Sequence, residues 1–226
     1  MDPRFAHVRD WIFDLDNCLY PASAGLFDLI DERMGAYIQR LLDCGPAEAR
    51  RVQKDHFHAH GTTLAGLMKA HDVDPHDFLA DVHDVPLDCI APDARLDRAL
   101  GQLPGRKFVF TNGDAPYARR VLDALGIGAH FDDLHDIVAS DLTPKPDPYG
   151  YTLLCERFGI DPAAALLADD MAQAHDNHMT GLMRRARHFV CALAFCAYGG
   201  GAAEVGSFTI PGRGRQHLGA PGGQRP

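Results

Sequence analysis

The chain has 226 residues, 46% of them hydrophobic, and a formal net charge of −9. That length and apolar content support one sizeable domain, or one domain carrying an insertion. The negative charge argues against nonspecific nucleic-acid binding, and no run approaches the ~20 apolar residues of a membrane-spanning helix. The six cysteines, at 18, 44, 89, 155, 191 and 196, include no C-x-x-C pair and suit reduced thiols. Residues 1–10 lack a basic stretch leading into a long apolar one, so the expected location is the cytoplasm.

Trp11-Ile12-Phe13 is a short apolar run that reads as a buried strand, and it ends in two acids, Asp14 and Asp16. Both then sit at the carboxyl end of a strand, where open α/β sheets bind ligands. Two carboxylates so close repel each other unless a cation or a shared proton compensates. From Leu26 to Leu42 apolar residues recur at helical spacing, and Cys44-Gly45-Pro46 stops that helix. Helical patterns follow over 47–59, 62–71, 74–83 and 92–103, with Asp74-Pro75 a good cap and first-turn pair. Nothing between 21 and 103 alternates like a strand, so this block reads as a helical insertion.

The pattern changes after Leu103-Pro104-Gly105. Residues 107–111 form a β-branched and aromatic run, hence a strand; 116–125 is helical; 136–139 is a third strand candidate. A helix over 148–158 and a strand over 164–168, ending in Asp169-Asp170, complete the series. Strands alternating with helices imply α/β architecture with a parallel sheet.

Four polar sites thereby fall at strand ends on one edge of the sheet: Asp14/Asp16, Thr111-Asn112, Lys145 and Asp169/Asp170. The acids are hard oxygen ligands suited to Mg²⁺. Thr111 supplies a hydroxyl, the Asn112 N–H precedes a helix and can meet an anion, and Lys145 is a point charge for a phosphate or carboxylate. Singly each has a plainer reading: Thr-Asn-Gly is an ordinary turn, 144–148 a stiff connection, Asp169-Asp170 capping acids. Their joint order along the chain favours a shared site. His56, His58 and His60 lack a third suitable ligand nearby and read as a polar helix face.

With these motifs in place, the chain resembles the haloacid-dehalogenase-like hydrolases. Their signatures match Asp14-Leu15-Asp16, Thr111-Asn112-Gly113-Asp114, Lys145 and Asp169-Asp170 here. Within that superfamily, Phe13-Asp14-Leu15-Asp16-Asn17-Cys18-Leu19-Tyr20-Pro21 is similar to the pyrimidine 5′-nucleotidase branch, as is Gly61-Thr62-Thr63-Leu64. The resemblance implies a Rossmann-like three-layer parallel core over 1–20 and 104–198, with a helical cap, 21–103, inserted after the first strand. It implies a Mg²⁺-dependent phosphomonoesterase acting on a small phosphorylated substrate such as a nucleoside monophosphate, as a monomer or homodimer, with neither a membrane nor a nucleic acid as partner.

The roles implied are specific. Asp14 is the nucleophile that forms an aspartyl-phosphate. Asp16 protonates the leaving oxygen and then activates water; the Asp14 charge beside it favours the protonated form that role needs. Mg²⁺ is held by Asp14, the Asp16 carbonyl and Asp170, with Asp169 behind them. Thr111, Asn112 and Lys145 bind the phosphoryl oxygens, and Thr62 and Thr63 are candidate substrate contacts, or simply a helix cap. The alternatives are another small-molecule phosphatase or a sugar-phosphate mutase of the same superfamily, and a relative with a damaged C-terminus that binds Mg²⁺ and phosphate without turnover.

Past Asp170 the resemblance lapses. Residues 171–226 hold six Arg, no Lys and two acids, and 10 of the 22 glycines. From residue 199 the chain reads as disordered. Either the tail is divergent, or the reading frame changes near residue 172; an unshifted coding sequence with homologous tails removes the second reading.

Overall fold

The computed structural model describes residues 5–170 and 189–191. Five parallel strands form one sheet: β1 (Asp10–Phe13), β2 (Arg106–Phe110), β3 (Asp133–His135), β4 (Ala165–Asp169) and β5 (Phe189–Cys191), in the order β3-β2-β1-β4-β5. The fold is α/β, as the alternation of strands and helices implies. The tail from 199 lies outside the described residues.

β1 occupies the middle of the sheet, and all four of its residues are buried. Side chains alternate between the two faces, as strand geometry requires. Trp11, Phe13, Val109, Leu166 and Ala168 join one core. Ile12, Phe108, Phe110, Ala165 and Leu167 join another. The first core is covered by α6 (Ala115–Ala124) through Tyr117, Ala118, Val121 and Leu122. The second is covered by α7 (Pro148–Phe158) through Tyr151 and Leu154. Helices on both faces of a parallel sheet make three layers.

Between β1 and β2 lie α1 (Leu26–Leu42), α2 (Pro46–His60), α3 (Thr63–His71), α4 (Pro75–Val82) and α5 (Ala94–Gln102). α1 packs on α2 and α4, and α3 packs on α2 and α4. Local sequence starts these helices where expected: Thr62, Asp74 and Asp93 each accept a backbone N–H from the first turn. α5 has a different role. Parallel strands need a crossover to return the chain to the starting edge, and α5 supplies it between β1 and β2. Its Asp97 lies 2.7 Å from His130, in the connection leading to β3.

One element differs from the sequence reading. The third strand is Asp133–His135, and residues 136–139 form a turn rather than a strand. Asp136 is the cause: its carboxylate accepts the N–H groups of Ala115 and Ala139, both at 2.8 Å, which bends the chain away from the sheet. Val138 is left exposed on that turn. No helix among the described residues is long and apolar enough to cross a membrane.

Candidate active site

The carboxyl ends of the central strands bring the sequence-predicted residues together. The Asp14 N–H donates to the Ala168 carbonyl at 2.8 Å, one step beyond the β1–β4 ladder. Thr111 follows β2 directly, and its N–H donates to His135 O at 3.1 Å. Lys145 arrives from the loop between β3 and α7. Asn112 fixes it there: the Lys145 N–H donates to Asn112 Oδ1 at 2.8 Å, and Asn112 Nδ2 donates back to Lys145 O at 3.4 Å.

The Lys145 ammonium spends its three protons on Asp14 Oδ1 (2.7 Å), Asp169 Oδ2 (2.8 Å) and Phe110 O (3.0 Å). An ammonium has three donors, so it is fully satisfied. Burial acts to depress its pKa, but Asp14 and Asp169 outweigh that and hold it charged, well above the usual lysine range. Burial pushes the Asp14 carboxyl up to about 7, against the pull of Lys145 and with added repulsion from Asp169 and Asp16. Two buried carboxylates share one ammonium, which leaves negative charge in excess. Asp170, partly buried, is pushed upward too, by burial and then by Asp169. Carboxylate oxygens of Asp14, Asp169 and Asp170 lie within 4.8 Å of one another. An excess of close oxygen donors fits a hard divalent cation.

Asp16 has a different environment. Its Oδ1 accepts hydrogen bonds from Tyr20 Oη at 2.5 Å and Tyr117 Oη at 2.7 Å. Burial first, and the Asp16 charge second, push both phenols far above the ordinary tyrosine range. The Tyr117 ring stacks on His83 at 4.3 Å, and His83 Nδ1 lies 2.9 Å from Asp114, the residue that caps α6. Sequence reasoning missed Tyr117 and His83, which carry no local signature. Tyr20 belongs to the Asp14–Pro21 stretch, where sequence alone assigns it no role.

A cavity of about 300 Å³ opens between the sheet edge and the helical block. Its floor includes Asp14, Asp16, Thr111, Asn112, Lys145 and Asp170; its opposite wall includes Phe27, Met34, Lys54 and Phe57. Asp169 lies behind, 1% exposed. Thr62 and Thr63 line the cavity, yet both hydroxyls serve the fold. Thr62 Oγ1 accepts the Ala65 N–H at 3.1 Å, and Thr63 Oγ1 donates to Gln53 O at 3.3 Å.

Comparison with known proteins gives a consistent picture. A family model described as haloacid dehalogenase-like hydrolase matches residues 11–172. Phosphate metabolism protein 8 of Saccharomyces cerevisiae is 28% identical over 155 residues, 61% of this chain and 48% of that protein. The chain thus spans about half the length of the curated relative it matches. Among solved structures, a "putative phosphoglycolate phosphatase" from Lactobacillus plantarum has a TM-score of 0.51 at 20% identity, covering 80% of this chain and 84% of that one. A HAD phosphatase from Thermococcus onnurineus has a TM-score of 0.48 at 18% identity, covering 73% and 78%.

Proposed function

Because this chain belongs to the haloacid dehalogenase-like hydrolase family, we propose that it hydrolyses phosphate monoesters through an aspartyl-phosphate formed on Asp14. One observation carries the reading. A second carboxylate, Asp16, stands two residues beyond the nucleophile, lines the same cavity, and keeps one oxygen free of hydrogen bonds among the described residues. Expelling an alkoxide from phosphorus needs a proton donor there; displacing a halide ion does not. The name of the yeast relative, which speaks of phosphate metabolism, agrees with this reading.

In the mechanism, Asp14 attacks phosphorus while Asp16 gives its proton to the departing oxygen. Water then attacks the aspartyl-phosphate, and Asp16 takes a proton from it. The Thr111 hydroxyl and the Asn112 N–H bind the phosphoryl oxygens, over which charge spreads in the transition state, and Lys145 joins them by turning one of its three N–H donors from a present acceptor to the phosphate. Lys145 already lies 2.7 Å from the nucleophile, so it also orients that carboxylate. Asp14 and Asp170, with Asp169 behind them and the Asp16 carbonyl beside them, would hold Mg²⁺. When bound, the ion supplies positive charge between two anions, nucleophile and phosphate, that otherwise repel.

The substrate class we propose is the nucleoside 5′-monophosphates. A cavity of about 300 Å³ is at the small end of ligand sites. Its far wall pairs aromatic surface, Phe27 and Phe57, with polar groups, Gln53 and Lys54, a combination that suits a planar heterocycle with hydrogen-bonding edges. The test is Mg²⁺-dependent phosphate release from UMP, CMP, AMP, a sugar phosphate and an aryl phosphate, with Asp14→Asn as control. Fastest release from UMP or CMP supports the pyrimidine preference. Uniform rates remove it and keep the phosphatase; no release from folded protein overturns both.

A further inference from the structure

The two carboxylate oxygens of Asp16 are not equivalent. Oδ1 accepts from Tyr20 Oη at 2.5 Å and from Tyr117 Oη at 2.7 Å; Oδ2 accepts from no group among the described residues. The phenols reach Oδ1 from separate elements, Tyr20 from the turn after β1 and Tyr117 from the first turn of α6, and their oxygens lie 3.4 Å apart. Each tyrosine is only 1% exposed. His83, stacked on Tyr117 at 4.3 Å with a ring tilt of 11°, holds that ring from the end of α4.

A carboxyl oxygen that already accepts two O–H donors has little lone-pair capacity left for a proton of its own. A proton on Asp16 therefore belongs on Oδ2, the oxygen left for the cavity. We propose that Tyr20 and Tyr117 are positioning residues that saturate Asp16 Oδ1 and thereby present the transferable proton on Oδ2 to the leaving group. The proposal rests on the phosphomonoesterase reading above.

The step balances. An Asp14 oxygen forms its bond to phosphorus as the ester P–O bond breaks. The electron pair of that bond stays on the leaving oxygen, which takes the proton from Asp16 Oδ2. In the second half, water oxygen bonds to phosphorus, its proton goes to Asp16 Oδ2, and the electrons of the P–O bond to Asp14 return to the carboxylate. The phenols donate hydrogen bonds throughout and never change protonation state. Without them the Asp16 carboxyl can rotate, and its proton is spread over two oxygens, only one of them aimed correctly.

Leaving-group chemistry provides the test. An alkyl alcohol is a poor leaving group unless protonated as it departs, whereas p-nitrophenolate departs unaided. General-acid help contributes roughly 10²–10⁴-fold where it is needed. We would measure kcat/KM, which covers the steps up to leaving-group departure, for UMP and for p-nitrophenyl phosphate with Mg²⁺. The enzymes are wild type, Tyr20→Phe, Tyr117→Phe and the double variant. The expected result is a fall of about tenfold on UMP for each single variant and a larger one for the double, with p-nitrophenyl phosphate within about threefold. The ratio of the two values within one variant is independent of how much of it is folded, so poor folding cannot mimic the result. Equal falls on both esters, or no fall on either, overturn the proposal while leaving a phosphatase. A wild type that cleaves neither ester overturns the phosphatase reading and this proposal with it.

Discussion

Lys145 and Asp14 stand 131 residues apart in the chain and 2.7 Å apart in the fold. Neither side chain can be understood alone. The ammonium is 4% exposed and would not stay charged there without Asp14 and Asp169; the two acids would repel each other without the ammonium. The pair is thus a structural joint between β1 and the loop before α7 and, on the proposed function, part of the catalytic apparatus.

Removing the lysine should therefore be felt twice. Lys145→Met leaves two buried acids facing each other, and breaking a buried ion pair from one side typically costs ~3–5 kcal/mol. Urea unfolding should show that loss alongside abolished phosphate release. Lys145→Arg should not restore activity, because a planar fork does not fit a site shaped for a compact three-donor charge. Full activity in the arginine variant would contradict the geometry described for Nζ.

The Asp14 carboxyl links stability to pH. Burial raises its pKa in the folded state to about 7 from an ordinary 3.8. The folded protein thus holds this proton more tightly than the unfolded chain. Its contribution to stability is fully present below pH 3.8 and is lost as pH rises through about 7. Thermal melts in chelator between pH 5 and 7 should show wild type losing stability relative to Asp14→Asn as pH rises. Parallel curves would mean that Asp14 is not the group responsible.

Mg²⁺ should stabilise the fold by mass action. At a hundredfold excess over Kd the gain is ~2.7 kcal/mol, visible as a rise in Tm that chelator reverses. Asp170→Asn removes a negative charge from the proposed cation site on the cavity floor, so its Tm should respond far less to the ion. An undiminished response in that variant would move the cation elsewhere.

Phe27 tests the far wall of the cavity. It is 39% exposed, so Phe27→Ala should change stability little. Stacking of a base on an aromatic ring is worth ~1–3 kcal/mol, so KM for a nucleoside monophosphate should rise about fivefold or more, with KM for a small phosphate ester hardly altered. A uniform change on both substrates would assign Phe27 to the fold instead.

Gly105 tests the fold away from the site. Its φ is +85°, and a Cβ there would collide with the Arg9 carbonyl oxygen, which already accepts the Arg106 N–H at 2.9 Å. Backbone on both sides leaves nothing flexible to give way. Gly105→Ala should destabilise by at least ~2 kcal/mol, followed through the single tryptophan, Trp11, whose Nε1 donates to the neighbouring Pro104 O at 2.7 Å.

Much of this was legible from the sequence because parallel strands carry their chemistry at one end. Once Phe13, Phe110 and Ala168 are recognised near strand ends, the residues that follow must share an edge. What escaped was set by distance. Tyr117 meets Asp16 across 101 residues, and no spacing rule connects them. The misplaced third strand had a local cause: Ile137-Val138-Ala139 looks like a strand, but the Asp136 carboxylate binds two backbone N–H groups and wins the segment for a turn. Thr62 and Thr63 show the converse, two polar residues at a cavity wall whose hydroxyls are committed to helix and backbone.

The two walls of the cavity are encoded differently. The reacting wall is gathered from four separate stretches of chain, around residues 14, 111, 145 and 169, and any rearrangement of gene segments would scatter it. The opposite wall comes from one uninterrupted stretch, α1 to α4, residues 26–82. A single recombination event can exchange that stretch whole while the proposed nucleophile and the proposed cation ligands stay where they are. On the proposed function, selectivity and chemistry are thus held by separable parts of the chain.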